Sequence, residues 1–304
     1  GPRRMNRPGR RLLRQLVRRQ LPGAQVGGRA TATGHEVLMA GADGSPIPVT
    51  DEGRGPAILL LHAGSADRSS WAGVAAALAV RFRVLRFDRW TYRGGHADAS
   101  PAGADAMAAE VGDVLAVAAT VGERPLLVGH SSGAVVALES ALAAPSAFSG
   151  MVLYEPPVAV GEPLGGEALR RARAALDAGD PGRAITIHMR EIVGAGRLVV
   201  AAMRLVPPVW QVVRGHAPAQ ITDDEAIESL GVGLDRYAHL DLPVLLLGGG
   251  RSPTNLRERL DALAAVLPRL DSVVVLDGQG HLANLRAPGE VAQVIAAFAD
   301  RLVR

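Results

Sequence analysis

Three short stretches of this 304-residue sequence hold residue types able to do covalent chemistry. The first is PLLVGHSSGAVVALESALA, residues 125–143, in which Gly129-His130-Ser131-Ser132-Gly133 stands between an apolar run and an alanine-rich helical pattern. A G-x-S-x-G there predicts a strained strand-to-helix turn, tight enough that side chains at the two glycine positions would clash. It makes Ser131 the candidate nucleophile, raised above a sheet edge at the positive end of the following helix. The second stretch is DGQGHLANLRAPGEV, residues 277–291, where His281 sits in a glycine-flanked loop between the last strand-like run and the last helical one. A neutral imidazole placed there could take the serine's proton, and its position after Ser131 suits that role. The third is LLLHAGSADRSSW, residues 59–71. Acyl transfer develops negative charge on a carbonyl oxygen, which two preorganised backbone amides can hold. The candidates are the amide of Ser132 and that of Gly64, with Ala63 as the alternative on the same loop.

Composition narrows the chemistry further. With no cysteine, the chain has no disulfide, no thiolate metal site and no cysteine nucleophile. No eighteen-residue apolar run and no charged leader ahead of an apolar stretch is present, so the expected location is the cytoplasm. The net charge of +3 is unevenly placed. Residues 1–34 hold nine arginines and no acid, leaving 24 basic against 30 acidic groups in the remainder, a balance of −6. Every basic residue is arginine, which suggests a GC-rich coding background more than selection for phosphate contacts, and a nucleic-acid partner is not expected. In GRRLLRQLVRRQLPG the apolar Leu12, Leu13, Leu16, Val17 and Leu21 fall at helical spacing. With about three turns and no Trp or Phe as anchor, that helix is expected to dock on protein or stay unfolded, and a membrane partner is not expected.

The elements that must position these residues alternate. Strands are predicted at 35–40, 46–50 and in AILLLH, RVLRFD, PLLVGH, GMVLYE, PVLLLG and SVVVLD, which begin at 57, 83, 125, 150, 243 and 272. Helices are predicted near 69–80, 104–121, 132–144, 254–267 and 288–303. This is the pattern of a doubly wound, mostly parallel sheet with a hairpin at its start. Residues 157–236 break it, with the helical pieces GEALRRARAALDAGD, GRAITIHMREIVGAGRLVVAAMRL and DDEAIESLGVGLDRYA. They predict a helical cap inserted between two strands, so the expected domains are an extension at 1–34, a core at 35–156 and 237–304, and a cap at 157–236.

The order HAGS, FDRWTYRGG, GHSSGA, YEPP, helical insertion, GGGRSP, GQGH resembles the α/β-hydrolase superfamily over residues 35–304. GHSSG joined to LYEPP is closer to the capped α/β-hydrolases abundant in actinomycetes. The resemblance implies an eight-stranded α/β sheet, a lid over the active site, no cofactor and no metal. In the superfamily an acid usually follows the strand equivalent to 243–248, where this chain has Arg251-Ser252-Pro253, a Gly-Gly-x-Ser-Pro arrangement that the closer group shares. A histidine base needs a partner to fix its tautomer. The best substitute is Glu155 at the end of MVLYE, the neighbouring strand end on the same sheet edge, with the order Ser131, Glu155, His281 preserved. Asp277 and Asp88 are weaker candidates, and the alternative for Glu155 is that it lines the pocket or anchors the cap.

Trp90 and Tyr92, in a chain with three Trp and three Tyr, fall on the loop after RVLRFD. With His62 and Ser65 they are the candidate substrate-lining residues, or else they pack beneath the cap. His130 and the remaining histidines are read as structural. The apolar side chains between Ile185 and Trp210 suggest a hydrophobic substrate face. The expected activity is serine hydrolysis of an apolar or medium-sized ester, lactone or thioester, with a small molecule as partner and a homodimer left open. The alternatives are a non-hydrolytic or C–C-bond-processing enzyme on the same fold and, less favoured, a ligand-binding protein.

Overall fold

A computed structural model describes residues 34–94 and 102–303. The expected amphipathic helix at 12–21 lies outside the described residues. Eight strands form one sheet: β1 (His35–Ala40), β2 (Pro46–Gly53), β3 (Ala57–Leu61), β4 (Arg83–Phe87), β5 (Leu126–His130), β6 (Gly150–Tyr154), β7 (Val244–Gly249) and β8 (Leu270–Leu276). Their order is β1-β2-β4-β3-β5-β6-β7-β8. β1 pairs antiparallel with β2 and β2 with β4, and every other pairing is parallel. The eight-stranded, mostly parallel sheet with a hairpin at its start that the sequence predicts is the architecture observed.

The central strands read as continuous apolar runs because both faces are covered. β3, β5, β6 and β7 are buried at every position. On one face Trp71, Val74 and Leu78 pack with Val291, Ile295 and Phe298 of the C-terminal helix. From β3 the chain steps to β4 on one side and then to β5 on the other, so the strand order reverses between β3 and β5. In an open parallel sheet that reversal leaves a crevice outside the carboxyl ends of the strands. Ser131 follows β5 and the 62–71 loop follows β3.

The flanking helices are α1 (Ala72–Leu78), α2 (Ala104–Thr120), α3 (Ser132–Ala143), then α4 (Gly166–Asp177), α5 (Pro181–Ile187), α6 (Arg197–Arg204), α7 (Pro207–Gly215), α8 (Ala217–Glu228), α9 (Thr254–Val266), α10 (Ala283–Arg286) and α11 (Pro288–Leu302). The helix expected from residue 69 begins as a 3-10 turn, Arg68–Trp71, because Asp67 accepts the Ser69 amide and caps a tighter turn. The helical piece expected over 182–205 is broken. α5 runs into a π-helical turn at His188–Ile192 and stops at Gly194, whose φ of 79° ends a right-handed helix, before α6 starts after Gly196.

The described chain divides into two compact units, residues 165–221 and the remainder. The first is narrower than the 157–236 insertion expected. Residues 222–236 belong with the sheet because buried polar contacts hold them there: Asp223 to Arg89, and Arg236 and Tyr237 to Glu139. The smaller unit has its own core of Leu169, Ala172, Ala175, Ala184, Ile187 and Ile221. No helix among the described residues is long and apolar enough to cross a membrane.

Candidate active site

The β5–α3 turn forms as its glycines require. A side chain on Gly133 would place its first carbon 2.3 Å from the His62 carbonyl oxygen, and one on Gly129 would stand 2.5 Å from Ala134 Cα. Both are backbone collisions, so only glycine lets β5, α3 and the end of β3 meet. Ser131 is left with φ 53° and ψ −124°, and its amide donates to Tyr154 O at 2.8 Å. Three non-glycine residues among those described have positive φ: Ser131, Ser65 at 50° and Glu155 at 46°. Each costs roughly 1–3 kcal/mol, and all three stand at or just beyond the carboxyl ends of β3, β5 and β6. Strain is therefore concentrated where the sequence places its candidate chemistry.

Glu155 and His281 meet. His281 Nδ1 lies 2.6 Å from Glu155 Oε2, and since an ionised carboxylate only accepts, Nδ1 carries the hydrogen. That leaves Nε2 as the ring's acceptor in the neutral form. The second oxygen, Oε1, accepts the Gly249 amide at 2.7 Å, and the Glu155 side chain is almost wholly buried. Of the weaker acid candidates, Asp88 accepts the Arg68 amide at 2.7 Å, and Asp277 is exposed.

The loop bearing His281 is held through its backbone. Tyr154 Oη donates to Gly280 O and accepts the Ala283 amide. His130 Nε2 donates to His281 O at 2.8 Å, its ring stacked on Tyr154 at 4.5 Å. Burial, with the His281 ring beside it, drops the His130 pKa well below the ordinary histidine value, so it stays a neutral donor. Arg251 N donates to Gln279 O at 2.7 Å, and Asn284 Nδ2 reaches Ser70 O at 3.0 Å, joining this loop to the one after β3. His130, expected to be structural, thus positions the candidate base.

Behind Ser132 lies a polar cluster that the sequence did not reveal. Arg89, fully buried, donates to both Asp223 oxygens at 3.2 and 2.7 Å and to Ser132 Oγ at 3.1 Å. Glu110 stands 3.9 Å from the same guanidinium, and the Tyr92 hydroxyl donates to Asp223 at 2.9 Å. Burial acts to raise the Asp223 pKa, but the guanidinium and its hydrogen bonds outweigh it and hold the carboxyl below its usual value. Burial raises the Glu110 carboxyl, with Arg89 opposing. The only sequence signals were an arginine directly after a strand end and a TDDEA run that reads as a solvated helix face.

Three of the expected substrate-lining residues are corrected by this geometry. His62 is fully buried, with Nδ1 donating to Ala63 O at 2.8 Å and Nε2 accepting the Arg89 amide at 3.0 Å, so neither nitrogen is left for a ligand. Burial and the nearby Arg89 charge lower its pKa to about 3. Trp90 is buried, and Tyr92 lies under Arg89, 5.0 Å from ring centre to guanidinium, with its hydroxyl on Asp223. Ala63, Gly64 and Ser65 are half-buried, and Ser132 is buried. Among the described residues no cluster of His, Asp and Glu is arranged to hold a metal ion.

A family model described as the alpha/beta hydrolase family matches residues 58–294. Proteins of Mycobacterium tuberculosis and Mycobacterium bovis, each described as uncharacterized, are 37% identical over 105 residues. That match takes in 33% of this chain and spans 29% of the length of those curated relatives. Among solved structures, an alpha/beta hydrolase from Sphaerobacter thermophilus is 29% identical with a TM-score of 0.73, covering 86% of this chain and 99% of the other. A thermophilic esterase from Thermogutta terrifontis and the esterase RhEst1 from a Rhodococcus species are each 23% identical. Their TM-scores are 0.66 and 0.63, each covering 88% of this chain and 99% of the other, and they are alike in fold.

Proposed function

The chain belongs to the alpha/beta hydrolase family, and from that premise we propose that it is a serine hydrolase acting through an acyl-enzyme on Ser131. The observation that carries the reading is the 2.6 Å contact between His281 Nδ1 and the buried Glu155 carboxylate. It presents the ring nitrogen opposite the carboxylate as a base and stabilises the imidazolium that forms when that nitrogen takes a proton. Ser131 Oγ attacks the acyl carbon while His281 accepts its proton. The amides of Ser132 and Gly64, with Ala63 the alternative to the latter, hold the oxyanion. His281 returns the proton to the leaving alcohol or thiol, then activates a water that releases the acid.

Supporting details are the left-handed backbone at Ser131 and Glu155 and the fixed backbone of the His281 loop. The substrate class is an apolar or medium-sized ester, lactone or thioester, supported by the apolar content of residues 185–210. Of these, Ile185, Ile187, Val200 and Met203 are buried, so a smaller set than the sequence suggests is left to meet a ligand.

A fluorophosphonate probe tests the reading. Wild type should label and turn over p-nitrophenyl esters, and Ser131→Ala should do neither while keeping its fold by circular dichroism. An inert wild type overturns it and favours a reaction in which Ser131 forms no covalent bond.

A further inference from the structure

Within the unit formed by residues 165–221, α6, α7 and their flanks leave large apolar side chains in water. Of eleven exposed large hydrophobic residues among those described, four fall between 193 and 212: Val193, Leu198, Leu205 and Val212. Leu198 is 86% exposed and Leu205 78%, more than their share for side chains whose helix has a core to face. Residues 198 and 201 of α6 and Leu205 just after it recur at helical spacing and are all exposed, while Val200 and Met203, on the opposite face, are buried. On α7 the exposed residues include Pro208, Gln211 and Val212. α6 and α7 pack together, with Arg204 over the Trp210 ring at 5.3 Å, and Trp210 lies against Gly182 of α5. The two short helices thus form one anchored surface.

The charge on this stretch is of one sign. Between residues 181 and 216 stand Arg183, Arg190, Arg197, Arg204 and Arg214 against one acid, Glu191, which is already bridged to Arg171 at 2.5 Å. Arg197 and Arg204 lie on α6 beside its exposed leucines, and Arg214 on α7 close to Val212. Leucines ringed by arginines suit an anionic lipid surface: the apolar side chains enter the acyl boundary, and the guanidinium groups stay at the headgroups on long flexible stems.

We infer that the exposed face of α6 and α7 docks on an anionic phospholipid bilayer. Charge decides between the occupants. A second copy would bring the same arginines face to face. A free polyanion would engage the arginines and leave the leucines in water. The inference reverses the expectation that the chain has no membrane partner, which was drawn from the shortness of the helix at 12–21. It is independent of the serine chemistry, since it needs no turnover.

Sedimentation of the full chain with phosphatidylcholine vesicles, with and without phosphatidylglycerol, tests it. The expected result is at least roughly tenfold tighter binding to the anionic vesicles, weakened by salt. Leu198→Glu with Leu205→Glu should abolish the binding without moving the thermal midpoint, because both side chains are solvent-exposed. Arg197→Gln with Arg204→Gln should weaken it several-fold. Wild type that binds neither vesicle overturns the inference, as does binding unchanged in both double variants, which would place the contact elsewhere. A wild-type dimer in light scattering that the leucine variant dissolves overturns it in favour of a second copy.

Discussion

Gly249 donates its amide to Oε1 of Glu155 at 2.7 Å, so the strand whose end lacks an acid receives one from its neighbour. The glycine at the end of β7 also lets the 279–280 backbone come close. A side chain on Gly248 would place its first carbon 3.6 Å from Oε1 and 3.0 Å from Leu260, and one on Gly249 would meet Gln279 O and Gly280 at 2.8 Å. The absent carboxylate and the glycines in its place are two sides of one arrangement.

Gly249→Ala should therefore push the 279–281 backbone aside by roughly half an ångström to an ångström while the amide remains. The fold should survive with a loss of about 1–3 kcal/mol, and turnover should drop by on the order of 10²-fold through misplacement of His281. Ester hydrolysis beside a urea melt separates the two effects, and an alanine variant with wild-type turnover would show that the close approach has no bearing on the base.

Glu155→Gln keeps the size and the Gly249 bond but removes the charge that fixes the His281 tautomer. Turnover should fall by about 10⁴-fold with near-native stability. A variant within a few-fold of wild type in a p-nitrophenyl ester assay would remove Glu155 from the triad.

Arg89 is the counter-charge for Asp223 and Glu110 in a site closed to water. Arg89→Met should cost about 3–5 kcal/mol, because two buried carboxyls lose their partner. Adding Asp223→Leu should recover much of that loss. Urea midpoints of the two variants and the pair measure the coupling, and simple additivity would mean that the cluster does not act as a unit.

Stability should decline in mild acid because of His62 and His130. Burial lowers both, His62 to about 3, from an unfolded value near 6.5. For His62, between those limits the unfolded chain binds a proton that the folded chain refuses, and His130 acts in the same sense. The stabilising contribution is thus complete above about pH 6.5 and is lost as pH falls, by up to about 1.4 kcal/mol per pH unit for His62. Glu110 and Glu139, raised by burial, act in the opposite sense, so the informative measurement is a difference. His130→Gln keeps a donor for the His281 carbonyl and should flatten the dependence of ΔG on pH between 6.5 and 5. An unchanged slope would mean that the folded and unfolded chains bind a proton at His130 alike.

Much of this was legible because it is local. Strand starts and ends follow from apolar runs bounded by glycine and proline, and the β5–α3 turn from two glycines whose hydrogens are all that fits. The pairing of Glu155 with His281 could be anticipated because neighbouring parallel strands end on the same edge. What stayed hidden depends on distant partners. Arg89 and Asp223 look like ordinary surface charges until the fold buries them together. Tyr154 and His130 fall on buried strand positions where an aromatic ring reads as filler, although their polar atoms hold the backbone of a loop some 126 and 151 residues further on. The break at Gly194 was visible as a glycine, yet its weight against the helical periodicity around it depends on the φ that the fold imposes there.

Placing the carboxylate after β6 also changes what a genetic insertion can disturb. Ser131 and Glu155 both precede residue 165, and His281 alone follows residue 221. A recombination event that exchanged the intervening module would leave hydroxyl and carboxylate on one uninterrupted segment, on strands that are hydrogen-bonded to each other. Its downstream splice point would fall beside Asp223, which the buried Arg89 pins to the residue after Ser131. The downstream end of such a graft would lie beside residues tied to the turn that carries Ser131.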